Sequence, residues 1–278
     1  MSFSSTSLGS YSQLWASIFF FLFGTYLMAM AGDITDDIYF RYYCDGSSKF
    51  PTPLPDLLSR PSLAVIDFLR EKKIEMVSIT DPLIGILSLI LLISLFARSK
   101  LRGKRALIFS HLCIVWGMCT YFRALCLTTT VLPSFHNDIC PALMESRKKN
   151  GHLNIFISGF MHLSAPFTQY YPMADYMFSG HAAGATAVYL VTMFEIFSKG
   201  NSPWERVRNI LFTLYYLIAV LSIVLTRLHY TADVLIGIFI AVFSYILYLL
   251  MVEKCRAKQL IFPYNLVNWI EKQDLHLE

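Results

Sequence analysis

The sequence predicts an all-α, polytopic membrane protein with six transmembrane helices and both termini cytoplasmic. Three observations carry that prediction. Of 278 residues, 55% are hydrophobic and only 15% are charged, against roughly 25% charged in soluble domains. The apolar residues gather in runs close to the ~20 residues of helix that cross a bilayer. Lys and Arg gather in the segments between alternate runs, where cytoplasmic loops carry them. The net charge of +4 comes with no basic stripe of interleaved aromatics, so no nucleic-acid partner is expected. The chain divides into a short N-terminus at 1–13, a six-span unit at 14–252 and a tail at 253–278.

The first run, 14–31, follows a Ser-rich start without Lys or Arg, which lacks the basic flank of a secretory signal and makes the run a retained span. Residues 32–80 carry charge and proline and read as a first long loop. Within it Pro51, Pro53 and Pro55 precede Asp56; each proline fixes its own φ and biases its predecessor toward extended geometry. Leu63, Ile66 and Leu69 fall on one face of a short amphipathic helix at 62–75. The second span, 79–97, ends at 98–105, where five of eight residues are basic and none is acidic, which assigns that loop to the cytoplasm. The third span, 106–128, carries Arg123 near its far end. Residues 129–178 form a second long loop, whose cluster Arg147, Lys148 and Lys149 opposes the assignment without overturning it, because long loops translocate largely regardless of charge. Its apolar patch at 153–167 is short of a span and is expected to be re-entrant or interfacial. The fourth, fifth and sixth spans are 179–197, 210–226 and 232–252.

Threaded alternately through a bilayer, these spans bring Asp56, Arg123, Asp175, His181, His229 and Asp233 to one side at similar depth. Ionisable groups are costly there and mark a functional site by default. The same side receives Cys44 and Cys140, which are expected to pair if that side is oxidising and to stay free otherwise. Cys113, Cys119 and Cys126 fall inside the third span as packing residues.

The chemistry follows from residue type and spacing. His229 and Asp233 are four apart, which on a helix puts them on one face. A carboxylate there fixes the imidazole tautomer and leaves the other nitrogen as nucleophile or base. His181 opens the fourth span behind Ser179 and Gly180. Backbone amides at a helix N-terminus attract phosphate, and glycine permits close approach of a ligand. Two imidazoles, a carboxylate and a guanidinium at a membrane surface suit phosphoryl transfer on a lipid, with one histidine attacking phosphorus, the other shuttling the proton and Arg123 steadying charge. The competing structural readings are a snorkelling Arg123 and a chance His–Asp pair. No third ligand at local spacing supports a metal site, and no cofactor is expected. His111, His136, His152, His162 and His276 have no comparable partners and read as loop, packing or tail residues.

Four segments, in order, resemble the sphingomyelin synthase family of lipid phosphotransferases, which is related to the type 2 phosphatidic acid phosphatases. They are Pro53-Leu54-Pro55-Asp56; Tyr121-Phe122-Arg123 with Thr130 and Pro133; Asp175-x-x-x-Ser179-Gly180-His181; and His229-Tyr230-Thr231-x-Asp233-Val234. The resemblance implies a catalytic triad of His181, His229 and Asp233 on the lumenal or exoplasmic face. It implies that Asp175, Ser179, Gly180, Arg123, Tyr230 and Asp56 line the substrate. By the family's scheme His229 forms a phosphohistidine, and His181 protonates the departing diacylglycerol and then deprotonates ceramide. The implied partners are a glycerophospholipid donor, most often phosphatidylcholine, and a ceramide or diacylglycerol acceptor. The implied membrane is that of the Golgi, plasma membrane or endoplasmic reticulum.

Two departures bear on the donor: Met173-Ala174 stands where the family often has Cys-Gly, and Ala182 follows His181 where Thr is usual. Choline, ethanolamine and inositol headgroups all stay open, as does a diacylglycerol acceptor. A lipid phosphatase is the weaker alternative. Phosphatases of the related superfamily carry a Lys-x6-Arg-Pro element and an Arg six residues before the second histidine, whereas this chain has Pro53 seven positions before Arg60 and Ile223 at the second place. A non-enzymatic transporter or scaffold is the other alternative, and charges gathered at one face rather than at the midplane disfavour it.

Overall fold

The computed structural model of the protein describes residues 5–44, 56, 63–64, 67–69, 71–72, 77–98, 101, 103–132, 140–141, 144, 157, 178–197 and 202–256. Asp175, residues 51–55, most of the patch at 153–167, His136, His152, His162 and the tail beyond 256 lie outside them. The described chain forms helices α1 (Ser5–Tyr39), α2 (Val77–Ala97), α3 (Arg105–Thr129), α4 (Gly180–Val191), α5 (Pro203–Leu225) and α6 (Thr231–Arg256). A π-helical turn, Phe40–Cys44, extends α1, and another, Thr192–Ile196, extends α4.

Five of these helices are long and apolar enough to cross a membrane, as in an integral multi-pass protein. The stretch from Gly180, expected as a fourth span, has twelve residues of α-helix and five of π-helix and is not one of the five. It is also the innermost element. It packs against α2, α3, α5 and α6, and Ala182, Ala183, Ala185 and Ala187 are almost fully buried. Small side chains let surrounding helices approach closely where burial from water offers little drive. Opposite, α5 turns Leu211, Leu214, Leu217, Ile218 and Leu221 outward, which suits contact with lipid.

One expectation near the N-terminus needs correction. Residues 32–44, expected as the start of the first long loop, are helical and continue α1, which runs from Ser5. The reason is tertiary: α1 lies along α3, and the Thr35 hydroxyl donates to the Leu127 carbonyl at 2.8 Å. That packing carries helix through the acidic residues Asp33, Asp36 and Asp37, which sequence polarity assigned to a loop. The surface helix expected at 62–75 is helical at 63–64, 67–69 and 71, with Leu69 buried and Leu63 exposed, and Ile66 lies outside the described residues.

Polar side chains fasten the bundle. Tyr216 and Thr186 share a hydrogen bond of 2.9 Å between α5 and α4, and Tyr215 donates to the Leu83 carbonyl at 2.9 Å. The Thr80 and Thr226 hydroxyls meet at 3.2 Å, joining the start of α2 to the end of α5. Basic residues of the expected cytoplasmic end close helix C-termini, whose last carbonyls lack intrahelical partners. Arg105 donates to Leu95 and Phe96 carbonyls at 3.1 and 2.6 Å, Arg98 donates to that of Ile196, and Arg208 to that of Phe197 at 2.9 Å. His111, read from sequence as lacking a partner, is 2.8 Å from Glu195 across the α3–α4 interface. At the other end Cys44 and Cys140 form a disulfide, with Cα atoms 5.4 Å apart.

Candidate active site

Three segments converge at the disulfide-bearing end of the bundle. The first is the entry to α4. Phe178, fully buried, has a φ of 23°, unusual for a non-glycine residue, and turns the chain into the helix. Ser179 is the N-cap and accepts from the Ala182 amide at 3.1 Å, satisfying one first-turn donor. The Ser179 amide donates to the Asp233 carbonyl at 3.0 Å, pinning the start of α4 to α6. This approach requires Gly237 on α6, because a β-carbon there would lie 2.6 Å from the Ser179 carbonyl oxygen.

Arg123 on α3 forms the second segment. Its side chain is buried, with the residue only 5% exposed, and it donates to the Phe178 carbonyl at 2.7 Å. It passes directly over Gly180, where a β-carbon would lie 2.4 Å from the guanidinium Nη1. Snorkelling is therefore excluded: Arg123 points inward and holds the strained turn that sets His181.

The third segment is the connection from α5 to α6. Here α5 ends in a Schellman motif: the Leu228 amide donates to Ile223 at 3.2 Å and the Arg227 amide to Val224 at 3.0 Å, with Arg227 at a φ of 55°. The chain then delivers His229 and Tyr230 to the start of α6. The expectation that His229 and Asp233 share a helix face needs correction, because α6 begins at Thr231 and His229 precedes it. Asp233 instead sits in the first turn, where its carboxylate accepts from the Tyr230 amide at 3.3 Å, the acidic half of a capping box. Both residues are buried, His229 at 5% and Asp233 at 2% exposure. Asp56 joins them from the first loop, accepting from the Thr231 amide at 3.1 Å and the Thr231 hydroxyl at 3.0 Å. Two carboxylates at one helix N-terminus are favoured by its dipole. Asp56 thus ties its loop to α6.

The histidines face one another with ring centroids 6.2 Å apart. His181 differs from His229 in being open, its side chain 45% exposed, and its Nε2 lies 3.3 Å from Asp81 Oδ1 on α2. The sequence reading missed Asp81. Its signal was there: an acid at the opening of an apolar span is as costly as the residues that were singled out. Of the expected site residues, His181, His229, Asp233, Ser179, Gly180, Arg123, Tyr230 and Asp56 come together, and Asp175 lies outside the described residues. Among the described residues no group of three or more His, Cys, Asp or Glu is arranged to hold a metal ion.

Such a cluster offers two imidazoles within reach of a single phosphoryl group, beside helix N-terminal amides and a buried guanidinium. Residues 174–250, which include both histidines and Asp233, match the family model described as PAP2 superfamily C-terminal. The match covers the C-terminal part of the bundle and is consistent with the PAP2-related superfamily, whose members are phosphoryl-transfer enzymes. No curated protein matches the chain.

Proposed function

We propose that the protein is a membrane lipid phosphotransferase that moves a phospho-headgroup from a glycerophospholipid to a lipid alcohol, with phosphatidylcholine as donor and ceramide as acceptor. The reading rests above all on one observation: His181 and His229 face each other at 6.2 Å within the segment that carries the superfamily match. In the first half-reaction His229 attacks phosphorus. The bond from phosphorus to the glycerol oxygen breaks, and that oxygen takes a proton from His181. In the second half His181 takes the proton of the acceptor hydroxyl as its oxygen attacks phosphorus, and the bond to His229 breaks. Asp233 orients His229 and compensates the charge that it gains. The disulfide at this end of the bundle and the arginines at the other support an exoplasmic or lumenal site.

The test uses purified protein in liposomes with a fluorescent short-chain ceramide. Phosphatidylcholine, phosphatidylethanolamine and phosphatidylinositol are offered separately as donors, beside His229→Ala and Asp233→Asn. We expect transfer from phosphatidylcholine, with His229→Ala losing more than 10³-fold, as for loss of a nucleophile acting with its base. Transfer from another donor, or to labelled diacylglycerol instead, would change the substrate and keep the chemistry. Activity surviving both substitutions would sink the mechanism.

A further inference from the structure

We infer that Asp81 is the positioning residue for His181, a role that rests on the phosphotransferase reading above. The geometry is direct: Asp81 Oδ1 lies 3.3 Å from His181 Nε2. The backbone that carries Asp81, whose side chain is 52% exposed, is fixed. Its neighbour Thr80 is completely buried and bonded to Thr226 at 3.2 Å, three residues before His229, so the same anchor sets the start of α2 and the turn that carries the nucleophile.

His181 needs such a partner more than His229 does. Buried packing immobilises His229, whereas the His181 side chain is 45% exposed and has rotamer freedom to lose. With Nε2 turned toward Asp81 at 3.3 Å, Nδ1 is the nitrogen left to exchange protons. During cleavage of the donor, the electron pair of the breaking P–O bond goes to the glycerol oxygen, which accepts the Nδ1 proton. During transfer to the acceptor, Nδ1 regains a proton from the attacking hydroxyl. Asp81 stays beside Nε2 through both steps and takes no proton.

The experiment compares wild type, Asp81→Asn and Asp81→Glu in liposomes with two donors: the natural phospholipid, whose alkoxide needs a proton to leave, and a p-nitrophenyl ester of the same phospho-headgroup, whose phenolate does not. For Asp81→Asn we expect kcat on the phospholipid to fall about 10²-fold, in the range of general acid catalysis, with KM little changed. The pre-steady-state burst of nitrophenolate, which reads the first half-reaction alone, should keep the wild-type rate, and Asp81→Glu should recover much of the phospholipid activity. Unchanged kcat in Asp81→Asn would overturn the inference. So would an equal loss with both donors, which marks a merely structural role. If wild type transfers no headgroup from any donor, the phosphotransferase reading itself fails and this inference falls with it; an active wild type with an indifferent Asp81 separates the two failures.

Discussion

Arg123 illustrates why single residues had to be weighed against a bland alternative. An arginine near the end of a span usually snorkels to the headgroups. Here it turns inward, donates to the Phe178 carbonyl at 2.7 Å and lies against Gly180. The cost of a side chain at that glycine follows. Gly180→Ala would bring a β-carbon to 2.4 Å from Nη1, displacing either the guanidinium or the first turn that carries His181. Overpacking of this kind costs about 1–3 kcal/mol. We expect Gly180→Ala to lower the thermal midpoint and to reduce transfer at least tenfold. Adding Arg123→Ala should relieve the steric part of that loss, so the double variant will be more stable than the sum of the singles implies, a coupling that thermal unfolding reads directly. The motif residues His181, His229, Asp233, Ser179 and Gly180 were legible because polar and glycine residues at the mouths of apolar runs need a reason. Asp81 was not singled out because its partner is 100 positions away in the chain.

At the scale of elements, α4 explains both ends of the molecule. Its N-terminus presents His181, and its π-helical extension carries Glu195, whose carboxylate meets His111 Nδ1 at 2.8 Å. This pair lies beside Lys104, Tyr245 and Glu253 around a cavity of about 430 Å³, at the end opposite the candidate site. Both side chains are largely buried, and hydrogen bonds to charged groups contribute about 1.5–3 kcal/mol. His111→Ala is therefore expected to lower stability by about that amount in chemical or thermal unfolding. KM for the donor should not move, because the change is remote from the candidate site. A KM shift would instead tie the pair to the site. Helix identity along α2, α3, α5 and α6 was legible from apolar run length. The ends of α1 were not, since packing against α3 and the Thr35 bond to Leu127 carry helix through residues whose composition reads as loop.

For the whole molecule, the Cys44–Cys140 disulfide and the arginine-closed helix ends mark opposite faces. In sealed vesicles with the exoplasmic face outward, a membrane-impermeant maleimide should leave both cysteines unlabelled until a reductant is added and then label them from outside. Labelling before reduction would remove the disulfide. Labelling only after permeabilisation would invert the topology. The disulfide also joins the π-helical end of α1 to the segment after α3 across 96 residues, so its loss should cost about 2–5 kcal/mol, the common range for native disulfides. Linear order and composition were enough to establish the membrane class, the helical elements and the two histidine segments, because hydrocarbon penalises charge residue by residue and each exception stands out locally. They could not establish that His229 precedes α6, that Asp56 binds Thr231, that Arg123 turns inward or that Asp81 reaches His181. Those contacts join residues far apart in the chain, or depend on where a helix begins, and they exist only once close packing brings the helix ends together.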